Sequence, residues 1–218
     1  MSSTPPSALP GARWSLANGR HQQPHDLLGQ HLEADGLRIR VLRPLAESVQ
    51  VRFEDDVLLD LAHESDGVWS GVRTDATETM DYRILTGWGD GIQHEADDPY
   101  RFAPTVGEID RFLFNEGRHE QLWKVLGAHV QSYPGPMGEV TGTSFSVWAP
   151  RAKSVYVVGD FNGWDNRAHP MRLLGNSGIW ELFVPGVGAG TAYKFRIRGA
   201  DDVERDKSDP MARRTECP

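Results

Sequence analysis

Apolar and polar residues alternate in short runs along this chain, and the same runs occur twice. Ile39 and Val41 alternate with Arg38 and Arg40 across Leu37 to Pro44, and Val49, Val51 and Phe53 alternate with Gln50 and Arg52. Farther on, Phe145 and Val147 alternate with Ser144 and Ser146, while Tyr193, Phe195 and Ile197 alternate with Lys194, Arg196 and Arg198. A period of two predicts half-buried strands whose polar partners mark a solvated outer face. Turn residues interrupt these runs every eight to twelve positions or so, which is the spacing of an all-β sandwich and leaves no room for crossover helices.

The repetition is exact enough to align. Gly36, Ile39, Val41, Pro44, Ala46, Ser48, Val49 and Val51 return as Gly142, Phe145, Val147, Pro150, Ala152, Ser154, Val155 and Val157, an offset of 106. Gly67-Val68-Trp69 matches Gly178-Ile179-Trp180, Tyr82-Arg83-Ile84 matches Tyr193-Lys194-Phe195, and Asp98-Pro99 matches Asp209-Pro210, all at 111. The second copy has gained 111 − 106 = 5 residues between positions 159 and 178. There it carries Asp160-Phe161-Asn162-Gly163-Trp164, where the first copy has only Glu54-Asp55-Asp56.

The expected fold is all-β: two tandem immunoglobulin-like β-sandwiches joined by a short helical linker. The expected divisions are a disordered leader over 1–24, a first sandwich over 25–118, a helical linker and loop over 119–141, a second sandwich over 142–212 and a tail over 213–218. The linker assignment rests on Leu122, Trp123, Val125, Leu126 and Val130, which approximate a helical stripe. Leu28-Gly29-Gln30-His31 echoes Leu126-Gly127-Ala128-His129 at an offset of 98, so each sandwich is expected to be entered by a short lead-in segment.

Composition excludes several function classes. A formal net charge of −8 disfavours nucleic acid or an anionic membrane as partner, since those need clustered Lys and Arg. The one cysteine, Cys217, has no partner within the chain, which excludes an internal disulfide framework and fits a reducing, cytoplasmic setting. No apolar run is long enough for a signal peptide or a membrane span. His31 and His129 are separate entry positions in two repeats, no Cys or His pair has zinc-ligand spacing, and neither metal nor cofactor is expected. Nothing resembles a nucleophile elbow, a phosphate loop or a dinucleotide fingerprint, so no catalytic residue is assigned. Asp160, Asp165 and Glu181 are of the type a glycosidase uses, but on a turn and a strand face they read as solvated charges.

The added loop is the candidate for binding. Sugar rings have C–H faces and hydroxyl rims, so a protein holds them with an exposed aromatic plane ringed by polar side chains. Trp164 offers the plane, Asn162 both donates and accepts, and Lys194 donates from the polar face of its strand. The alternative is that Trp164 packs over the end of the sandwich. Stacking on one tryptophan hides ~100 Å² of apolar surface, worth on the order of 2.5 kcal/mol. Millimolar affinity needs about 4 kcal/mol, so hydrogen bonds must add to it, and a polymer presenting many rings to several sites is the natural ligand. Trp88, in Gly87-Trp88-Gly89-Asp90-Gly91, is a possible secondary carbohydrate site or a cover for a domain junction. Trp69 and Trp180 sit at matched strand positions and are expected in the cores.

Val158 to Trp164, then Gly178-Ile179-Trp180-Glu181 and Tyr193-Lys194-Phe195, resemble a family-48 carbohydrate-binding module, which recognises glycogen and starch. The resemblance implies sugar contacts by Trp164 and Lys194. The family's better binders add a second tryptophan just after the Tyr-Lys-Phe strand, and Ala200 to Glu204 contains none. Asp98-Pro99-Tyr100-Arg101-Phe102, Asn115 to His119 and Leu122-Trp123 are similar to the junction of bacterial 1,4-α-glucan branching enzymes, over about residues 25 to 218. That family implies a following α-amylase-type barrel, which carries the catalysis and is absent from this sequence. The expected function is the non-catalytic N-terminal part of such an enzyme, inactive alone, with α-glucan (glycogen or maltooligosaccharide) and the barrel as partners. A free-standing glycogen-targeting or regulatory subunit is the alternative.

Overall fold

The computed structural model describes Gly11, Leu16 and residues 21–89, 91–165 and 167–215. The first half builds β1 (Gly29–Glu33), β2 (Gly36–Leu42), β3 (Ser48–Phe53), β4 (Leu58–Asp60), β5 (Ala62–Ser65), β6 (Val68–Arg73), β7 (Tyr82–Gly87) and β8 (Gln93–Ala96). They form two four-stranded sheets, ordered β1-β2-β6-β5 and β4-β3-β7-β8. The second half builds β9 (Gly127–Tyr133), β10 (Val140–Trp148), β11 (Ser154–Gly159), β12 (Arg172–Leu173), β13 (Ile179–Pro185), β14 (Tyr193–Arg198) and β15 (Glu204–Lys207). Their sheets run β12-β13-β10-β9 and β11-β14-β15. Every pairing is antiparallel. The two topologies correspond strand for strand, except that β4 has no named counterpart: in its place Tyr156 bridges Pro170.

Alternation puts Ile39, Val41, Val49, Val51, Phe53, Trp69, Tyr82 and Ile84 into one core. The same positions of the repeat, among them Phe145, Val147, Val155, Val157, Trp180 and Phe195, fill the other. Trp69 Nε1 donates to the Arg43 carbonyl at 3.2 Å and Trp180 Nε1 to the Ala149 carbonyl at 3.1 Å, the same bond in both repeats. The lead-in segments are edge strands. His31 Nε2 lies 3.1 Å from the Leu28 carbonyl and His129 Nε2 2.9 Å from that of Leu126.

Four expectations change. The helix, α1 (Glu108–Asn115), precedes the 119–141 segment, which instead holds a 3-10 turn at Leu122–Lys124 and then β9. Acidic Glu108 and Asp110 favour the start of α1, and left-handed Gly117 follows its end. The second sandwich begins at Gly127 rather than 142, because β9 pairs with β10 from Gly127 to Tyr133. The polar face of β10 is not solvated: Ser144 and Ser146 are buried beneath the linker, with Ser144 Oγ 2.6 Å from Thr105 Oγ1 and Ser146 Oγ donating to the Val125 carbonyl. Finally, described parts of 1–24 are anchored. Leu16 is buried and its carbonyl accepts from the Tyr156 hydroxyl at 3.3 Å. Gln22 accepts from Leu173 N at 2.9 Å, and Gln23 Nε2 donates to the Leu173 carbonyl at 2.6 Å. Cys217 lies outside the described residues.

The stretch between β8 and β9, with the loop that follows β9, also binds one sandwich to the other. Phe102 packs edge-on against Phe183 at 4.7 Å, Tyr100 donates to the Pro170 carbonyl at 3.3 Å, and Arg83 Nη2 donates to the Met137 carbonyl at 3.0 Å. Leu28, Leu42, Val68 and Tyr100 share the second sandwich's core cluster.

Candidate functional site

The added loop leaves the end of β11 where its backbone is most crowded. A Cβ on Gly159 would lie 2.4 Å from the Ala192 carbonyl, so only glycine fits. A 3-10 turn, Asp160–Asn162, follows, and then Gly163 (φ 59°) and Trp164 (φ 62°) are both left-handed. That conformation is free for Gly163 but costs tryptophan about 1 kcal/mol or more, a strain typical of functional turns. It turns the indole outward. Trp164 is 38% exposed, its N–H donates to the Gly159 carbonyl at 3.0 Å, and its Nε1 donates to Asp160 Oδ1 at 3.1 Å. The ring is thus tethered yet open to water. Phe161, on the same turn, points inward and stacks on Phe145 at 5.7 Å.

Asn162 is committed to holding this shape. Its Oδ1 accepts from Gly159 N at 2.9 Å, which identifies the other terminal atom as the amide nitrogen. That nitrogen donates to the Val157 carbonyl at 3.0 Å and reaches His169 Nδ1, also at 3.0 Å. His169 Nδ1 must therefore accept, which leaves its proton on Nε2. Burial, aided by the Arg43 charge, lowers the His169 pKa to about 3. Asn162 therefore positions the loop, and its amide hydrogens are not turned toward a ligand.

Lys194 is exposed on β14, opposite Val158 in the register and one residue from the point where the loop departs. The loop and Lys194 so lie at the same end of the β11-β14-β15 sheet. Across that face Arg196 pairs with Asp206 at 2.6 Å and Arg198 with Glu204 at 2.5 Å. At the opposite end, an open cavity of 470 Å³ is lined by residues including Pro150, Ile197, Ala200 and Asp201, with Arg205 of the Asp201 ion pair.

The first sandwich closes the corresponding turn with charge. Arg73 donates to both oxygens of Asp55, Nη1 at 2.8 Å, and also pairs with Asp75 at 3.0 Å, which holds the Asp55 carboxyl down at about 2. Trp88 is remote from that turn. It is 44% exposed on the hairpin after β7, beside the β2–β3 turn, where Glu47 N donates to the Gly87 carbonyl at 2.9 Å.

The three carboxylates do not converge. Asp160 receives the indole, Asp165 pairs with Arg167 at 2.9 Å, and Glu181, expected to be solvated, is fully buried. Glu181 pairs with Arg172 and accepts from the Thr105 hydroxyl at 2.7 Å. Its strand face is covered by the linker, which alternation alone does not reveal. Sequence reasoning also missed Asp160 and His169 as supports of the loop, because their partners become neighbours only when the chain turns back. Among the described residues no three of His, Cys, Asp or Glu gather as metal ligands, and no helix is long and apolar enough to cross a membrane.

A duplicated sandwich with an aromatic loop on its second copy defines a protein of two tandem immunoglobulin-like modules, the second with the features of a carbohydrate-binding module. Two family models match it: the alpha-1,4-glucan branching enzyme GlgB N-terminal domain over residues 12–100, and carbohydrate-binding module 48 (isoamylase N-terminal domain) over 125–212. The chain belongs to the glucan branching enzyme family, as its N-terminal pair of modules. It is 52% identical to the 1,4-alpha-glucan branching enzyme of Rhodococcus jostii over 93% of this chain and 28% of that one. The Thermobifida fusca enzyme is 50% identical over 94% of this chain and 27% of that one. The chain therefore spans little more than a quarter of these relatives' length. The solved pullulanase from Klebsiella pneumoniae matches only loosely, with a TM-score of 0.33 at 15% identity over 84% of this chain and 19% of that chain.

Proposed function

We propose that this chain binds and positions α-glucan for a 1,4-α-glucan branching enzyme, the activity that moves α-1,4 segments onto 6-hydroxyls to make α-1,6 branches. The observation that carries the reading is Trp164, an indole held outward by a strained backbone and by Asp160. Lys194 stands near it to donate to sugar hydroxyls, and Asn162 supports the loop from behind. Trp88 is a second, weaker contact for a long chain such as glycogen. The catalytic partner is an α-amylase-type barrel in the same polypeptide, and the setting is cytoplasmic.

Affinity electrophoresis in glycogen-containing gels tests the binding. Retardation of this chain that falls in Trp164→Ala and further in Trp164→Ala, Lys194→Ala supports the site. Unchanged retardation in the double variant removes both residues from it. Loss of iodine staining when amylose is incubated with this chain alone would overturn the non-catalytic assignment.

A further inference from the structure

The loop that carries Trp164 has two arms, and one of them is held from the other module. The outgoing arm is the end of β11. The returning arm, His169 to Met171, lies back along that strand: Val157 N donates to the His169 carbonyl at 3.2 Å and Met171 N to the Val155 carbonyl at 2.9 Å. Between these bonds stands Pro170, which has no N–H of its own, bridges Tyr156 and is buried. A buried carbonyl needs a donor, and the one that serves Pro170 is the Tyr100 hydroxyl of the first sandwich, at 3.3 Å.

Tyr100 is held rigidly in that position. Its N–H is taken by Asp98 at 3.0 Å, its ring meets His25 edge-on at 5.1 Å, and a Cβ on Gly29 would lie 2.7 Å from its carbonyl oxygen. It is only 5% exposed and shares the core cluster that holds Val157 and Met171. At the repeat offset of 111 its counterpart is Met211, which packs against the cluster that includes Leu126 and Ile179. A hydroxyl at this position therefore distinguishes the first copy, and its partner lies in the second.

From Pro170 the contacts run on to the tryptophan. The preceding residue, His169, meets Phe161 edge-on at 5.5 Å and accepts from the Asn162 amide through Nδ1 at 3.0 Å. Asn162 Oδ1 holds Gly159 N at 2.9 Å, and the Gly159 carbonyl takes the N–H of Trp164 at 3.0 Å. The Arg43 charge, also from the first sandwich, opposes protonation of His169 and so keeps Nδ1 an acceptor. Released from Tyr100, Pro170 and His169 can shift, and Asn162 then loses the partner that fixes its amide.

We propose that Tyr100 is a positioning residue for Trp164: through Pro170 and His169, the first sandwich sets the shape of the glucan-binding loop on the second. The sugar part of this statement rests on the glucan reading above, whereas the loop geometry does not. The first module thereby contributes to binding at Trp164 without touching sugar there.

Tyr100→Phe tests this, because it keeps the ring in the core and deletes the hydroxyl alone. The control is Arg83→Met, which removes a different bond between the modules, from Arg83 Nη2 to the Met137 carbonyl at 3.0 Å, that does not lead to the loop. Both variants are made in the full chain, with cooperative melting as the check on folding. Well below the melting transitions, two properties are read: the Trp164 indole N–H and Gly159 amide resonances in proton–nitrogen correlation spectra, the first identified by its loss in Trp164→Phe, and affinity for glycogen from gel retardation. Tyr100→Phe is expected to shift both resonances and to weaken retention about three- to tenfold, the range one neutral hydrogen bond accounts for, while Arg83→Met does neither. Unmoved resonances in Tyr100→Phe overturn the proposal even if melting falls, since a merely structural hydroxyl lowers stability without reshaping the folded loop. Equal weakening by both variants also overturns it, because the effect then belongs to docking of the modules as a whole. Shifted resonances with unchanged retention overturn the link to binding. If the parent chain is not retarded at all, the glucan reading fails, and the resonances alone decide whether Tyr100 sets the loop.

Discussion

Tyr82 donates its hydroxyl to Asp98 Oδ2 across 2.6 Å at the end of the first sandwich, while Asp98 Oδ1 takes the N–H of Tyr100 at 3.0 Å. One aspartate thus caps the turn that leaves the module and ties it to a core strand. The second module repeats the arrangement, Tyr193 donating to Asp209 and Met211 N to the other oxygen at 2.8 Å. In the first copy the aspartate is fully buried, and burial pushes its carboxyl up against the pull of these hydrogen bonds.

Removing the hydroxyl separates the two copies. Tyr82→Phe leaves a buried carboxylate short of a donor and is expected to cost about 1.5–3 kcal/mol in urea unfolding. Tyr193→Phe is expected to cost less, since that tyrosine is only half-buried and water can replace its hydroxyl. Equal losses would mean that burial does not set the worth of this bond.

Trp164→Ala is expected to weaken glucan retention by the stacking contribution, on the order of 2.5 kcal/mol or less, without moving the melting temperature downward. Alanine keeps the Cβ and therefore the left-handed strain, so the substitution itself releases none of it. A variant that unfolds more easily and still binds would identify Trp164 as packing rather than platform.

Asn162→Asp keeps the acceptor for Gly159 N but removes both donated hydrogen bonds, to Val157 and His169. The expected outcome is a loss of about 1–3 kcal/mol in stability together with weaker glycogen retardation. Asn162→Asp that binds normally at unchanged stability would remove the positioning role.

Acid should loosen the same region. His169 and His25 are buried and held neutral, with pKa values lowered to about 3 and about 2 chiefly by burial. Unfolded, each takes up a proton near its ordinary 6.5, so the unfolded state binds more protons across the interval between the two values. Stability is then fully present above pH 6.5 and falls as pH drops, by about 2 kcal/mol per histidine between pH 7 and pH 5. The raised pKa of Asp98 and Asp97 works the other way, from their native values down to 3.8. Urea melts at the two pH values should therefore show the loss, and His169→Gln should reduce it by about half.

Much of the architecture was legible because it is local or repeated. The period-two runs of Ile39 and Val41, or of Tyr193 and Phe195, identify strands by which side chains must leave water. The offsets of 106 and 111 identify the modules and the one loop that differs, and the matched Trp69 and Trp180 announce their places in the cores. The position of the helix was not legible. Leu122 to Val130 mimic a helical stripe, yet the hydrogen bonds of Gly127 to Tyr133 are better satisfied by the edge of β10.

The sequence by itself determined the duplicated all-β fold, the family and the loop that carries Trp164, since each depends on residue types at fixed spacing. Only the tertiary structure decided that Asn162 is spent on Gly159, Val157 and His169, that Glu181 lies buried under Thr105, and that Tyr100 of one sandwich reaches Pro170 of the other. Burial and hydrogen-bond partnership are properties of segments far apart in the chain, and no pattern within one strand or turn records which other segment will cover it.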